Sequence, residues 1–237
     1  MDYDLRKYVT SGTRIGGYRV DQYLGAGEEG IVYQVREIST GVPRALKLFH
    51  QDSLCLKYLG HLARRYDALA ASGATIRYCH FGHTYFERAN RYAFFFVFEL
   101  VKGETIFEFA STMEGSTQER FNMASQLIIR VAEQIGNIHR LGFGAGDFEY
   151  GKNIIVQEGT GLPVFCDFDS GTSQSPNWNL ENDFQELHAL MRLVFKRARI
   201  SRHAKILDQA FRGILSSRIR RDSMSRFAKQ LNRAIQT

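Results

Sequence analysis

The sequence predicts an α+β chain organised as two lobes, and three observations carry that prediction. Residues 18–101 read as strands interrupted by one helical stretch, residues 102–237 read mainly as helices, and the change falls near Lys102–Gly103 with no repeat or Pro-rich linker. The chain is 237 residues long, 44% hydrophobic and 24% charged, enough for one large domain or two small lobes with a sizeable core. We therefore expect a single domain over 1–237, divided into 18–101 and 102–237.

The strand candidates of the first lobe are YRVDQYL, GIVYQVRE, PRALKLF, ATIRYCHFG and RYAFFFVFEL, each a β-branched or aromatic run bounded by turn residues. Between the third and fourth, residues 53–72 have helical periodicity and stop at Gly73. In the second lobe, residues 117–142 place apolar side chains at 121, 124, 127, 128, 131, 135 and 138, one stripe of a helix. Thr117 with Glu119 marks its start and Gly142 its stop. Two short strands follow, NIIV (153–156) and PVFCDF (163–168), separated by a GTG turn, and residues 181–197 and 203–236 read as helices.

Composition excludes several classes. No apolar run approaches the ~20 residues that cross a bilayer, the longest being Tyr92–Phe98, and the N-terminus lacks the apolar core of a signal peptide. A cytosol is expected, that of the producing cell or of a host cell. Cys55, Cys79 and Cys166 have neither the number of a disulfide framework nor metal-site spacing. The net charge is +6, but residues 196–233 hold twelve Lys or Arg against Asp208 and Asp222, so the remainder of the chain is acidic. That basic stretch is either a solvated helix face or a surface for an acidic or phosphate-rich partner, and no specific nucleic-acid motif accompanies it.

The chemistry-bearing stretches begin with LGAGEEGIVYQV. Gly25, Gly27 and Gly30 form GxGxxG, where missing Cβ atoms let backbone amides approach phosphates. The run continues into a strand carrying Val32, not into a helix, which favours a glycine flap over ATP above a dinucleotide turn. Lys47 follows seventeen residues after Gly30, with Ala45 two residues before it, in a strand where Leu46 and Leu48 face the other way. Asp147, Asn153 and Asp167 offer hard oxygen atoms. Asn153 begins one short strand and Asp167 lies near the end of the next, so a tight turn brings both to one ion. Asp167 stands among Phe165, Cys166 and Phe168, where an acid needs a partner.

In this order and spacing, the sequence resembles the protein-kinase-like superfamily over about Tyr18–Ile235, in the form of a minimal, divergent kinase similar to bacterial effector kinases. VFELVKGETIFEF resembles the hinge and its first helix, IHRLGFGAGDFEYGKNIIV the catalytic loop, VFCDFDSG the metal-binding segment, and Asp183 the acid that braces the catalytic loop. The resemblance implies a two-lobed fold with an antiparallel sheet and one helix in the first lobe and a reduced helical second lobe. It implies ATP and Mg²⁺ as cofactors. Gly25, Gly27, Gly30, Val32, Ala45, Lys47, Asp67, Glu99 and Val101 would serve the nucleotide, Glu99 and Val101 through backbone groups at adenine. Asn153 and Asp167 would be the metal ligands, and Asp147 and Lys47 the catalytic pair.

Five departures accompany the resemblance. No Glu follows Lys47 on the helix, leaving Asp67 or Asp52 as its partner, or Asp67 as a plain surface acid. Ala145 and Gly146 replace the usual His-Arg before Asp147, which removes the reader of an activation-loop phosphate. Asp147 to Asn153 is six residues, one more than usual, with Glu149 and Lys152 inside the gap. The third residue of the metal segment is Asp169 instead of Gly. Only sixteen residues separate Asp167 from Asp183, a short loop without the usual partner for Arg221. We expect an ATP-dependent kinase, more readily for a protein hydroxyl, host proteins included, than for a sugar, lipid or polyol. A catalytically inactive scaffold with the same fold is the alternative.

Overall fold

The computed structural model describes residues 5–27, 29–50, 56–146, 148, 151–167, 180–203, 208, 211–212 and 223–236. The chain forms two compact units, Met1–Ala70 with Ile76–Val101, and Ala71–Thr75 with Lys102–Thr237.

The first unit is an antiparallel sheet ordered β1-β2-β3-β4-β6-β5: β1 (Arg14–Ile15), β2 (Tyr18–Ala26), β3 (Gly30–Glu37), β4 (Pro43–Phe49), β5 (Tyr78–Phe86) and β6 (Arg91–Glu99). Alternation sorts its side chains. Val20, Ile31, Tyr33, Val35, Leu46, Leu48, Phe95 and Val97 gather on one face in a core that also takes in Leu5 and Val9. The opposite face carries Phe96 and Phe98, against which Tyr66 of α1 (Leu56–Ala70) packs edge-on. Leu59, Leu62, Tyr66 and Leu69 form the buried stripe of α1. Each such side chain contributes ~1.5–3 kcal/mol when fully buried.

Two elements differ from expectation. The strand expected at 74–82 is displaced to Tyr78–Phe86, because Ala74 and Thr75 are engaged elsewhere: Thr75 bridges Phe165, whose N–H donates to Ala74 O at 2.9 Å. The β1–β2 hairpin turns at Gly16–Gly17, with Gly16 at φ +55, a glycine-favoured conformation.

The second unit holds a small sheet, β7 (Gly103–Thr105), β8 (Ile154–Gln157) and β9 (Pro163–Phe165), with helices α2 (Ile106–Ser111), α3 (Thr117–Arg140), α4 (Leu180–Arg197) and a helix over Ser223–Gln236. All seven stripe positions read from the sequence of α3 are buried. Its cap is Ser116, one residue before the expected Thr117. Ser116 Oγ accepts from Glu119 N–H, and the Glu119 carboxylate accepts from Ser116 N–H. Gly142, at φ +86, ends the turn. In the Ser223–Gln236 helix, Met224, Phe227, Ala228 and Leu231 are buried while Arg226, Lys229 and Arg233 are exposed. These basic side chains share the exposed side of that helix. Residues 204–207, 209–210 and 213–222, including Arg221, are outside the described residues, as is Asp169. Among the described residues, no helix is long and apolar enough to cross a membrane.

Candidate active site

In the first unit, the strand registers align the expected phosphate-side residues in one row. Gly25 lies opposite Val32, Val32 opposite Lys47, and Lys47 opposite Phe96. Ala45, two residues along β4, lies opposite Gln34 and Phe98 on the same face. Leu46 and Leu48 point into the opposite core, which leaves Lys47 on the side of Val32 and Phe96. Lys47 is only 8% exposed. Its ammonium lies 5.6 Å from the centre of the Phe49 ring and 3.7 Å from Glu29 Oε2. A buried ammonium requires such compensation.

The flap between β2 and β3 is held tightly. Gly27 N–H donates to Gly30 O, and His50 N–H donates to Glu29 O, both at 2.9 Å. A Cβ on Gly30 would fall 2.5 Å from Leu48 O, so only glycine lets β3 approach β4 there. The GxGxxG spacing thus has one glycine whose need is close backbone packing. Glu99 N–H donates to Arg77 O and its carboxylate accepts from Arg77 N–H. Val101, half-buried, follows β6 outside any strand or helix.

Among the described residues, no ion pair joins Asp67 to Lys47. Asp67 is exposed on α1; burial first, and then the Asp67 charge, push the Tyr78 phenol upward. Asp52 lies outside the described residues.

In the second unit, β8 and β9 pair with Ile154 opposite Phe165, and Cys166 N–H donates to Asn153 O at 2.9 Å. Asn153 and Asp167 therefore stand at neighbouring strand ends, both partly exposed. One amide oxygen and one carboxylate form a hard donor pair that suits Mg²⁺, an ion that keeps several ligands from water and phosphate. Among the described residues, no three His, Cys, Asp or Glu side chains converge.

Asp147 lies outside the described residues, but the residues around it are clamped. Asp183, 5% exposed, accepts from Ala145 N–H at 3.0 Å and from His139 Nε2 at 2.6 Å. Glu186, one turn along α4, accepts from Phe148 N–H at 3.0 Å. Phe148 is 1% exposed and meets Phe165 edge-on at 5.5 Å. Two acids on one face of α4 thus pin the backbone on both sides of residue 147. Sequence reasoning named Asp183 but missed Glu186 and the completely buried His139. Their signals were the i, i+3 spacing of the acids and a His on the apolar stripe of α3.

Elsewhere in this unit, an open cavity of about 550 Å³ is lined by Glu104, Phe107, Glu108, Ser111, Thr112 and Arg197 among others. The Arg197 guanidinium lies over Phe107 at 5.8 Å. Glu108 is committed to the α2 capping box, and hydrogen bonds from the Thr105 side chain and backbone hold its carboxyl below its ordinary value.

No protein-family model and no curated protein sequence matches the chain. Solved structures do. The kinase domain of PknI from Mycobacterium tuberculosis is similar at TM-score 0.64 and 16% identity, covering 95% of this chain and 99% of that one. A doubly substituted form of the same domain reaches TM-score 0.70 at the same identity and coverage, and a singly substituted form 0.69 with 98% of its chain covered. At this identity the likeness concerns the fold: the chain has the two-lobed, α+β, protein-kinase-like fold.

Proposed function

We propose that the chain is an ATP- and Mg²⁺-dependent phosphotransferase acting on a protein hydroxyl, with no phosphorylation switch in its short loop. The observation that carries this reading is the placing of Lys47: a lysine 8% exposed, in register with Val32, behind a glycine flap. The similar structures, kinase domains of PknI, lend the fold-level support.

Phosphoryl transfer needs positioning and charge neutralisation more than covalent help. In this reading Lys47 holds the α- and β-phosphates. Asn153 and Asp167 would hold Mg²⁺, which neutralises phosphate oxygens when bound. Asp147 accepts the proton of the acceptor hydroxyl while that oxygen bonds to the γ-phosphorus and the bond to the ADP oxygen breaks. His139, Asp183 and Glu186 position the backbone beside Asp147. Because Ala145 and Gly146 stand where a phosphate-reading Arg is usual, activity does not wait on loop phosphorylation. The exposed Lys229 and Arg233 face would receive an acidic or phosphate-bearing partner.

The test is transfer from ATP labelled at the γ-phosphate, with candidate proteins, sugars, lipids and polyols as acceptors. Label in protein supports the reading, and label in a small molecule alone replaces the acceptor class. Asp167→Ala should abolish transfer; transfer that survives it refutes the assignment. A catalytically inactive scaffold is the second reading, favoured by the departures of the catalytic loop and by the lack of a Glu on α1. It predicts no transfer and a melting temperature that Mg-ATP leaves unchanged.

A further inference from the structure

We propose that Glu29, carried by the flap itself, is the positioning carboxylate of Lys47 and that the phosphates of a nucleotide displace it. The inference rests on the nucleotide-binding reading above and adds a residue and a mode of regulation to it.

The single acid of α1, Asp67, is exposed and adds its charge at Tyr78, and among the described residues α1 pairs no acid with Lys47. The flap supplies one. Glu29 Oε2 lies 3.7 Å from Lys47 Nζ, with 10% of the lysine side chain and 26% of the glutamate side chain exposed. The backbone of residue 29 is anchored: its carbonyl accepts from His50 N–H, and Gly30 lies opposite Phe49 in the β3–β4 register. A buried ammonium left without an anion is costly, and exchange of the Glu29 carboxylate for phosphate oxygens keeps a counter-charge beside Lys47. The carboxylate therefore positions the lysine and competes with the phosphates for it.

The competition has a measurable size. Partly exposed ion pairs contribute modestly, so Glu29→Gln, which keeps shape and polarity but removes charge, should tighten nucleotide binding about two- to five-fold, or ~0.4–1 kcal/mol at ~1.4 kcal/mol per tenfold. It should also release Lys47 to amine chemistry, because the counter-charge favours the protonated, unreactive amine.

The experiment uses the full chain, wild type and Glu29→Gln, with Glu37→Gln as a control carboxylate that accepts from Thr40 Oγ1 at the far end of β3. Mg-ADP binding is measured by titration calorimetry, and acylation of Lys47 by an N-hydroxysuccinimide ester is followed by peptide mass spectrometry. Tighter binding and faster Lys47 acylation in Glu29→Gln alone support the proposal. Equal or weaker binding by Glu29→Gln, with a wild type that binds, overturns it while leaving the phosphotransferase reading intact. Unchanged acylation overturns the ion pair. If neither wild type nor variant binds nucleotide, the functional reading falls and displacement falls with it, even where acylation shows that the pair exists.

Discussion

Replacing Asp183 with Ala removes the acceptor on which two buried donors converge. One carboxylate oxygen takes both the Ala145 N–H and the His139 ring nitrogen, and His139 is wholly buried. Losing hydrogen bonds to a carboxylate costs ~1.5–3 kcal/mol, and leaving a buried donor unsatisfied costs ~1–3 kcal/mol. The two share a single site and do not add, so the expected loss is about 2–3 kcal/mol, a large fraction of the ~5–15 kcal/mol available to a typical fold. Asp183→Asn keeps an accepting oxygen and loses the charge, for about 1–1.5 kcal/mol, the gap between charged and neutral hydrogen bonds. Urea titration followed by far-ultraviolet circular dichroism reads these losses as shifts of midpoint at near-constant slope. Amide exchange at Ala145 reads the clamp itself, which should be protected in the wild type and exchange much faster in Asp183→Ala. A variant within ~1 kcal/mol of wild type, with Ala145 exchange unchanged, would refute the clamp as a source of stability.

Three further outcomes follow from the same physical reasoning. Gly30→Ala forces a Cβ against the backbone at Leu48 O, where nothing can rotate away; overpacking of this kind costs ~1–3 kcal/mol, and a melting temperature equal to wild type would contradict the close approach. Phe148→Ala empties a fully covered ring site beside Phe165 and should cost ~3–5 kcal/mol in the same urea assay. The Asp208 carboxyl is raised by burial, but hydrogen bonds from His188 and Arg192 and their charges outweigh this and hold it below its ordinary value. A depressed carboxyl contributes stability above its unfolded value and loses it as pH falls through the folded one, so wild type should weaken below the ordinary Asp range of ~3.9. Asp208→Asn should be less stable near neutrality and flatter across that acid range. An equally steep acid profile in the variant would show that other carboxylates set it.

Much of the fold was legible because local pattern and tertiary burial agree. The seven apolar positions of α3 form one stripe, and period-two alternation in β4 separates Lys47 from Leu46 and Leu48. The legible elements are those whose neighbours in space are set by period alone. The strand at β5 slipped because Ala74–Arg77 are as strand-prone as His83–Phe86, and the choice between them is made by the contact of Thr75 with Phe165, ninety residues away in sequence. The cap of α3 was misplaced by one residue because Ser116 and Thr117 are both good caps, and only the reciprocal bond to Glu119 selects between them. At the candidate site, Asn153 and Asp167 could be paired from a short turn between strands. Glu29 could not be foreseen as the partner of Lys47. In the sequence it is one of two adjacent flap acids, and which of them reaches the lysine depends on the β3–β4 register.

The central claim, that this chain moves a phosphoryl group from ATP, is tested most directly by the intact mass of the protein after incubation with Mg-ATP, alone and with acceptor proteins. The account predicts mass increments of one phosphoryl group on an acceptor protein, or on the chain itself, that disappear in Asp167→Ala and in Lys47→Met. Increments of AMP would contradict the reaction class, and unaltered masses of every protein component, under conditions where Mg-ATP binds, would contradict protein phosphorylation.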